Sequence, residues 1–485
     1  MLNIQDESPM TAKAKSVLII VLLWAAIYLP ALGSLEIKGE EGRRILPAVS
    51  MLETRNYVVP RVGSESYFSK PPLINWLVAA SFKLFGQSNE WTARLPSALC
   101  VLSVALAFVT VGRASLGARG STIAAIIWLT NIGMIEKGRL IEIEALYVSL
   151  AGLATILWLS FWEQKKSAWL TWTVPWIFLG LGWLAKGPVH LAFFYAVVLA
   201  VLWQSGSWRS LFHPAHFLGL TLMFGIFAVW AVPFAQATGN ALALNKWSNQ
   251  FSGRLKVDDF KLSSWILNIP RGVLYFLPWT LLLPLVRFSV LTKEQDRQIA
   301  RSLAWGTVVP FVVINLVPGA MPRYSMPALM PASWLLAMIL SAENLAWPRW
   351  LSGKPLPVKD RQWLVGALAL VACVSIFVYA VAIVPILQKR PRLKAIAAKI
   401  DAMVPRNETL YAINPNFQPI FFYLRSKLIY SSEISDVSPD AQYVLVQPEW
   451  EHEVGASDRW APRHPHPIFR TTDSRHRSII LLKID

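Results

Sequence analysis

Two adjacent acids followed by two arginines are the first residues whose types and spacing could do chemistry. Glu40 and Glu41 follow the first strongly apolar stretch, and Arg43 and Arg44 come two and three residues after Glu41. A positioned carboxylate can take a proton from an attacking hydroxyl, and guanidinium groups bind phosphate well. The cluster therefore predicts acid/base and phosphate-binding chemistry. The alternative is that the arginines only pair with the acids at a membrane boundary.

The sequence YFSKPP, residues 67–72, closes the same polar stretch. Its two prolines restrict the backbone and would direct Lys70 as a point charge, which is how lysine binds phosphate. We therefore predict that Tyr67 and Lys70 belong to the same site. The alternative is a loop lysine that reaches lipid head groups.

A second acidic group, EKGRLIEIE, occupies residues 136–144. Acids at an apolar boundary are costly unless they are solvated or paired. Glu144 stands at the start of an apolar segment and is predicted to be a further active-site carboxylate, with Arg139 beside it. The alternative for Glu144 is an acid stabilised by a helix N-terminus.

Single cations occupy turns between apolar segments: Lys186 in AKGP and Arg323, next to Tyr324, in PRYSMP. Arg254 ends a polar stretch, NQFSGR. We predict that they complete a cationic rim, although each could simply anchor a helix end. The predicted carboxylates are Glu40, Glu41 and Glu144, and the predicted substrate-binding residues are Arg43, Arg44, Tyr67, Lys70, Arg139, Lys186, Arg254, Arg323 and Tyr324.

The composition indicates which elements must position these residues. The chain has 485 residues, of which 54% are hydrophobic and only 15% are charged, as in a polytopic membrane protein. Its net charge of +17 does not indicate nucleic acid, because cytoplasmic loops of membrane proteins collect Lys and Arg. The two cysteines lie in separate apolar segments, and the histidines lack metal-ligand spacing.

Apolar stretches of roughly 17–25 residues predict membrane spans. The predicted fold is mainly α, a membrane helical bundle of about eleven spans, with 11–13 possible. The spans are 16–34, 94–112, 121–136, 145–161, 168–185, 188–204, 215–235, 271–287, 302–318, 325–342 and 363–387.

The distribution of Lys and Arg among the short loops predicts the orientation. It places the N-terminus in the cytoplasm, and the 35–93 loop, the 236–270 loop and the C-terminus outside. We therefore expect a multi-pass protein of a bacterial inner membrane, with a periplasmic active site.

Two domains are expected. Residues 1–387 would form the transmembrane catalytic domain, whose 35–93 loop carries interfacial helices in LINWLVAASFKLFG and ARLPSALC. Residues 388–485 would form a small periplasmic α/β domain, since 394–403 reads as a helix and TLYAI, YVLVQ and SIILLKI read as strands.

The order of the motifs resembles that of a known family. An acidic pair with an arginine, a Tyr-Phe-x-Lys-Pro-Pro run, an arginine and an acid after span three, a Leu-Ala-Lys-Gly-Pro turn and an Arg-Tyr-x-x-Pro turn succeed one another within residues 16–390. This order resembles the GT-C glycosyltransferases that use polyprenyl-phosphate sugars. The nearest groups are the bacterial aminoarabinose transferases of lipid A and the protein O-mannosyltransferases.

The resemblance implies transfer of a sugar from a polyprenyl-phosphate donor to an acceptor on the periplasmic face. The acceptor would be lipid A, another envelope glycan, a glycolipid or a protein, with membrane lipid as a partner and no cofactor. The resemblance favours Glu40 over Glu41 as the base. It assigns Arg43, Lys70 and Arg254 to the lipid phosphate.

The resemblance also implies that no metal is bound. Ser69 and Asn249 stand where some relatives carry metal ligands.

The sequence departs from the family pattern at three positions. Two of these are acids, because Glu40 and Glu144 replace the usual Asp. In a third, Arg44 stands where relatives commonly have Tyr.

Three other functions stay open at this stage. A polymerase or ligase would consume a diphosphate-linked oligosaccharide. A secondary transporter would use intramembrane charges and internal repeats, and no repeat is visible. A non-catalytic scaffold would not need the charged residues.

Overall fold

The computed structural model describes residues 9–62, 65–252, 262–350, 352–389, 392–413, 419–472 and 478–485. The chain divides into two compact units. The helical unit consists of residues 1–30, 69–73 and 95–379, and the sheet unit consists of residues 31–68, 74–94 and 380–485. The 35–93 loop and residues 388–485 thus belong largely to one unit.

Helices dominate the described residues. In chain order they are α1 (Pro9–Tyr28), α2 (Gly42–Thr54), α3 (Leu73–Phe85), α4 (Glu90–Thr110), α5 (Arg113–Thr130), α6 (Ile132–Gly138), α7 (Ile143–Glu163), α8 (Ala168–Ala185), α9 (His190–Gln204), α10 (Pro214–Thr238), α11 (Asn240–Ser252), α12 (Leu262–Trp265), α13 (Asn268–Leu274), α14 (Glu294–Leu316), α15 (Leu329–Ser341), α16 (Val358–Val378), α17 (Val384–Leu387), α18 (Leu393–Met403) and α19 (Pro448–Ala456).

The predicted membrane character is confirmed. Within the described residues, eight helical segments are long and apolar enough to cross a membrane, or nine if the bent pair α5 and α6 counts as one span. The segment predicted at 188–204 is the shorter helix α9, of 15 residues. The chain is therefore a multi-pass membrane protein, as its composition indicated.

The predicted span 271–287 is not a single helix. The region instead contains α13 and a 3-10 segment, Trp279–Leu285. Pro278 stands directly before that segment and Pro284 lies within it. Proline lacks the backbone donor that a continuous helix requires, which explains the interruption.

The bend between α5 and α6 sets the direction of the second acidic group. Asn131 is extended, and its side chain accepts a hydrogen bond from the Met134 backbone N–H (2.9 Å), so it caps α6 as a new helix. The two helix axes differ by 59°. The short α6 carries Glu136 and Lys137 towards the start of α7.

Burial differs strongly between the apolar spans. In α7, 78% of the span is buried within the protein, whereas the most apolar segment, Val358–Leu387, is only 17% buried. A helix that is apolar all round needs an apolar environment on every side. The first segment finds it in other helices, and the second presents Trp363 and Phe377, both exposed, as expected of a lipid-facing surface.

The sheet unit contains seven strands in its described residues. They are β1 (Arg61–Val62), β2 (Glu65–Ser66), β3 (Thr409–Ile413), β4 (Lys427–Ser431), β5 (Tyr443–Val446), β6 (His466–Thr472) and β7 (Ser478–Lys483). The first two form a short antiparallel pair. The other five form one sheet in the order β4-β3-β5-β7-β6, parallel among β4, β3 and β5 and antiparallel beyond.

The predicted C-terminal strands and helix are confirmed. TLYAI is β3, and YVLVQ and SIILLKI contain β5 and β7. The helix predicted at 394–403 is α18, which begins one residue earlier. The central strands are apolar at consecutive positions because both of their faces are covered: every residue of β5 is buried, and its Val444 packs in one core with Trp460 and Ile480.

One of the two helices expected in the 35–93 loop is confirmed. LINWLVAASFKLF forms α3, whose Ile74, Val78 and Phe82 recur every four residues and are buried. ARLPSALC does not form a separate interfacial helix, because it is continuous with α4, a helix of 21 residues. Its arginine, Arg94, lies in the second turn of that helix.

Candidate active site

The first acidic pair lies in a 3-10 turn, Gly39–Glu41, that leads directly into α2. Its two carboxylates have different environments. Glu41 is 2% exposed and accepts two hydrogen bonds from Arg94, from Nε to Oε1 (2.8 Å) and from Nη2 to Oε2 (2.9 Å). The Lys38 backbone N–H also donates to Glu41 Oε2 (3.1 Å). The Glu41 carboxylate is therefore fixed by donors on both oxygens.

The partner of Glu41 is a buried arginine that the sequence analysis missed. Besides Glu41, Arg94 donates to the backbone carbonyls of Leu32 (2.9 Å), Leu35 (2.7 Å) and Glu36 (3.1 Å). One guanidinium thus holds both the acid and the chain that leads to it. The signal that could have found it is an arginine inside an otherwise apolar segment, which requires a partner.

Glu40, one residue earlier, remains accessible. Its side chain is 36% exposed and lies 3.5 Å from Arg43 Nη1 and 4.0 Å from Arg44 Nη2. The predicted grouping of these three residues is present in the structure. The half-buried carboxylate of Glu40 therefore lies beside one exposed cation, Arg43, and one buried cation, Arg44.

Arg44 and Tyr67, both predicted as site residues, are in direct contact. Arg44 Nη1 donates to the Tyr67 hydroxyl (2.6 Å), and both residues are buried. Asn75 in α3 donates to the Arg44 backbone carbonyl (2.7 Å). These bonds join the start of α2 to the first residue of YFSKPP and to α3. Arg44 therefore orders the first loop in addition to carrying charge.

The second acidic group forms a buried charge cluster in the helical unit. Glu144, in the first turn of α7, lies 3.2 Å from Lys186 Nζ and 3.1 Å from Arg323 Nε. The Lys186 ammonium also lies over the rings of Tyr324 (4.4 Å) and Tyr147 (5.2 Å). The structure thus brings together four predicted site residues from α7 and two turns.

Glu142 belongs to the same cluster but was not predicted as a site residue. A side-chain hydrogen bond joins it to Glu144, and Lys137 Nζ lies 3.7 Å from its Oε1. Burial, and next the charge of Glu144, raise the pKa of Glu142 to about 7. Burial also lowers the pKa of Lys186, and the charge of Glu144 opposes that change. Spacing alone could not rank Glu142 against Glu144, because both acids are buried and they differ in the cations that contact them.

The remaining predicted residues have separate surroundings. Arg139 follows α6, donates to the carbonyls of Ile27 and Pro30, and lies 5.9 Å from the Tyr379 ring centre. These hydrogen bonds join Arg139 to the end of α1 and the residues that follow it. Lys70 is half-buried in the segment before α3. Arg254 lies outside the described residues.

No group of three or more His, Cys, Asp or Glu side chains suited to a metal ion occurs in the part of the chain that the structure describes. Asn249, on α11, donates its side-chain amide to Asn245 Oδ1 (2.9 Å). The cations described above supply positive charge directly.

Comparison with known proteins adds independent findings. Residues 69–232 match the family described as dolichyl-phosphate-mannose-protein mannosyltransferase. A curated relative from Pseudomonas savastanoi pv. phaseolicola, the undecaprenyl phosphate-alpha-4-amino-4-deoxy-L-arabinose arabinosyl transferase, is 25% identical over 324 residues. That match covers 65% of this chain and 60% of the relative.

Solved structures show the fold. The crystal structure of ArnT from Cupriavidus metallidurans bound to undecaprenyl phosphate superposes with a TM-score of 0.70 at 17% identity, covering 98% of both chains. The chain has the ArnT fold. The archaeal oligosaccharyltransferase AglB from Archaeoglobus fulgidus, in complex with an inhibitory peptide and a dolichol-phosphate, gives a TM-score of 0.52 at 11% identity. The superposition covers 96% of this chain and 74% of the AglB chain.

The predicted resemblance to GT-C glycosyltransferases of the aminoarabinose transferase type is confirmed. The first outer loop falls mostly outside residues 69–232, so that match does not include Glu40. The role of Glu40 is therefore judged from the geometry of Glu40, Arg43 and Arg44.

Proposed function

We propose that this chain is an integral membrane glycosyltransferase. It transfers a sugar from a polyprenyl-phosphate donor to an acceptor hydroxyl or amine on the periplasmic face of a bacterial inner membrane, with its N-terminus in the cytoplasm. The observation that carries the proposal is the pairing of a half-buried acid with cations at Glu40, in a chain with the ArnT fold. ArnT was solved with undecaprenyl phosphate, a carrier of the proposed chemical class.

Glu40 is the proposed base. It removes the proton from the acceptor while the acceptor atom attacks the anomeric carbon of the donor sugar. The bond from that carbon to the phosphate oxygen breaks, and polyprenyl phosphate leaves with the bonding electrons. A single displacement of this kind inverts the anomeric configuration. Glu41 is less suited to the role, because Arg94 already occupies both of its oxygens.

Cations stabilise the leaving group in this proposal. Negative charge grows on the phosphate as the bond breaks, and fixed positive groups offset it without a metal. We assign Arg43, Lys70 and Arg254 to the lipid phosphate. In the helical unit, Lys186 and Arg323 would bind donor oxygens, since together they bring two positive charges to the single Glu144 carboxylate.

The test is transfer by purified protein in lipid nanodiscs, supplied with polyprenyl-monophosphate sugars and a cell-envelope extract as acceptor. Glu40→Gln should lower kcat roughly 10²–10⁴-fold, because it removes a general base. Glu53→Gln, on the exposed last turn of α2, is the matched control and should keep wild-type turnover. Near-normal turnover by Glu40→Gln would reject the base, and use of diphosphate donors alone would reject the donor class.

The acceptor is the second part of the test. Lipid A, another envelope glycan, a glycolipid and a protein all carry suitable groups, and each gives a product of different mass. Mass spectrometry of envelope lipids, glycans and proteins, with and without the protein, should show one class losing a sugar. No difference in any class would contradict the proposed transfer.

A further inference from the structure

The backbone that leads to Glu40 is held by the C-terminal part of the chain. Residues 31–68 and 380–485 belong to the same compact unit, although more than 300 residues separate them in sequence. Two sets of hydrogen bonds join the segment just before Glu40 to the C-terminal residues. One set is centred on Tyr423 and the other on Glu36.

Tyr423 lies just after the 3-10 turn Pro419–Phe422 and contacts the backbone near the acids. Its hydroxyl accepts a hydrogen bond from the Ile37 N–H (2.7 Å) and donates one to Glu90 Oε1 (2.9 Å). Burial raises the pKa of Tyr423, so the hydroxyl keeps the proton that it donates. Ile37 is fully buried, and its N–H would lose this partner if the hydroxyl were removed.

Glu90 links this contact to the helix that holds Glu41. It is the first residue of α4, one turn before Arg94. Lys394 Nζ lies 2.6 Å from Glu90 Oε1 and 5.4 Å from the centre of the Tyr423 ring. A buried carboxylate, an ammonium group and a phenol thus form one connected group at the start of α4.

Glu36 makes the second connection. Its carboxylate accepts hydrogen bonds from the backbone N–H groups of Leu393 (2.7 Å) and Lys394 (3.1 Å) at the start of α18. An acid in this position satisfies donors that a helix leaves unpaired and is favoured by the helix dipole. The residue before Ile37 is therefore also tied to the C-terminal part of the chain.

These ties restrict the backbone over the residues that precede Glu40. Arg94 holds the Glu36 carbonyl, Tyr423 holds the Ile37 N–H, and Glu41 holds the Lys38 N–H. Glu40 follows Lys38 by two residues. A hydrogen-bonded segment of this length leaves little freedom in the direction of the next side chain.

We propose that the C-terminal segment 380–485 positions Glu40 through Tyr423 and Glu36. Tyr423 is a positioning residue and not a catalytic one, since it acts on Glu40 through the backbone of Ile37 and Lys38. This inference rests on the proposed function for its kinetic consequence only. Its structural content, that Tyr423 and Glu36 order residues 36–41, can be measured without any substrate.

Tyr423→Phe is the decisive variant because it removes the hydroxyl and keeps the ring. Hydrogen–deuterium exchange of peptides covering residues 36–41 should become faster by at least about 10-fold. Donor KM should stay within about 2-fold while kcat falls roughly 10- to 100-fold, as for a displaced catalytic group. A change confined to packing would not separate kcat from KM in this way.

Tyr411→Phe is the matched control. Tyr411 lies on β3 in the same compact unit as Tyr423 and packs against the core that contains Val444 and Trp460. Its substitution should leave both the exchange of residues 36–41 and kcat at wild-type values. Equal effects of the two substitutions would overturn the proposal, because they would show a general loss of packing.

Glu36→Ala is the second variant, and it decides the case if Tyr423→Phe fails to fold. It removes both acceptors from the start of α18 and should also speed exchange at residues 36–41 and lower kcat. Wild-type exchange in the variants would overturn the inference whatever the activity. If the wild-type protein transfers no sugar while the variants exchange faster, the proposed function fails and the positioning role stands.

Discussion

The two acidic groups of this protein use similar sequences in opposite ways. In the sheet unit, Glu41 is buried against the Arg94 guanidinium, whereas its neighbour Glu40 is only half-buried. In the helical unit, both Glu142 and Glu144 are buried, and they share a hydrogen bond. Adjacent acids need not ionise alike, because burial and the nearest charge set each pKa.

The arrangement of the cations also differs between the two groups. Arg94 engages both oxygens of Glu41 through one guanidinium. Glu144 has two cations, Lys186 and Arg323, on one oxygen. In the first arrangement one side chain donates to both carboxylate oxygens and to three backbone carbonyls. In the second, either cation remains if the other is lost, and the comparison therefore predicts unequal responses to mutation.

The largest expected effect is that of Arg94→Met. The substitution leaves Glu41 as a buried charge without its guanidinium and removes the donors to three carbonyls. Breaking one side of a buried ion pair costs about 3–5 kcal/mol. We expect a strong loss of thermal stability in detergent, measured by the unfolding temperature and by the fraction of monodisperse protein.

The double variant Arg94→Met with Glu41→Leu is the control for this prediction. Removing both charges avoids the unpaired carboxylate, so the double variant should be more stable than Arg94→Met alone. If the single variant is as stable as the wild-type protein, the fixed role given to Glu41 is wrong.

A smaller effect is expected from Lys186→Met. Glu144 keeps Arg323 at 3.1 Å, so its charge stays compensated. The loss should be about 1–3 kcal/mol, the cost of one hydrogen bond to a charged group with partial burial of its partner. Thermal unfolding in the same detergent measures it directly against Arg94→Met.

Lys166→Met, an exposed lysine between α7 and α8, is the matched control and should change stability very little. The comparison between the two acidic groups fails if Lys186→Met destabilises the protein as much as Arg94→Met does. It gains support if the loss of thermal stability is largest for Arg94→Met, smaller for Lys186→Met and smallest for Lys166→Met.

Local patterns in the sequence predicted much of the fold and the exposed part of the site. Apolar length predicted the membrane helices, and alternating or buried apolar runs predicted the C-terminal strands. Acids beside cations predicted the Glu40 group and the Glu144 group. Where prolines interrupted an apolar run, as at Pro278 and Pro284, length alone predicted a span that is not a single helix.

The residues that hold the site in place were not predictable by the same means. Tyr423 bonds to a residue 386 positions away, and Arg94 to one 53 positions away. No pattern within a short window can join such partners. The difference between Glu142 and Glu144 was hidden for the same reason, because the contacts of Glu144 with Lys186 and Arg323 join residues that are distant in the sequence.

The smallest predicted effect concerns the pH dependence of Glu142. Its pKa rises on folding from an ordinary value of 4.5 to about 7, so the folded chain binds more protons than the unfolded chain between these values. The free energy of unfolding must then fall as the pH rises through this window. Glu142→Gln is neutral at every pH and can still donate to Glu144. It should therefore match the wild-type protein near pH 5 and unfold roughly 2–4 °C higher near pH 8.

Glu136→Gln separates this effect from a general change of charge. Glu136 lies on the neighbouring α6, its side chain is 48% exposed, and it also pairs with Lys137. The difference between Glu136→Gln and the wild-type protein should be the same at both pH values. If the advantage of Glu142→Gln over the wild-type protein is also independent of pH, Glu142 does not hold a proton in the folded chain. Both Glu142 and Glu144 would then be ionised. Their cluster would need Lys137 as well as Lys186 and Arg323 to balance two full negative charges.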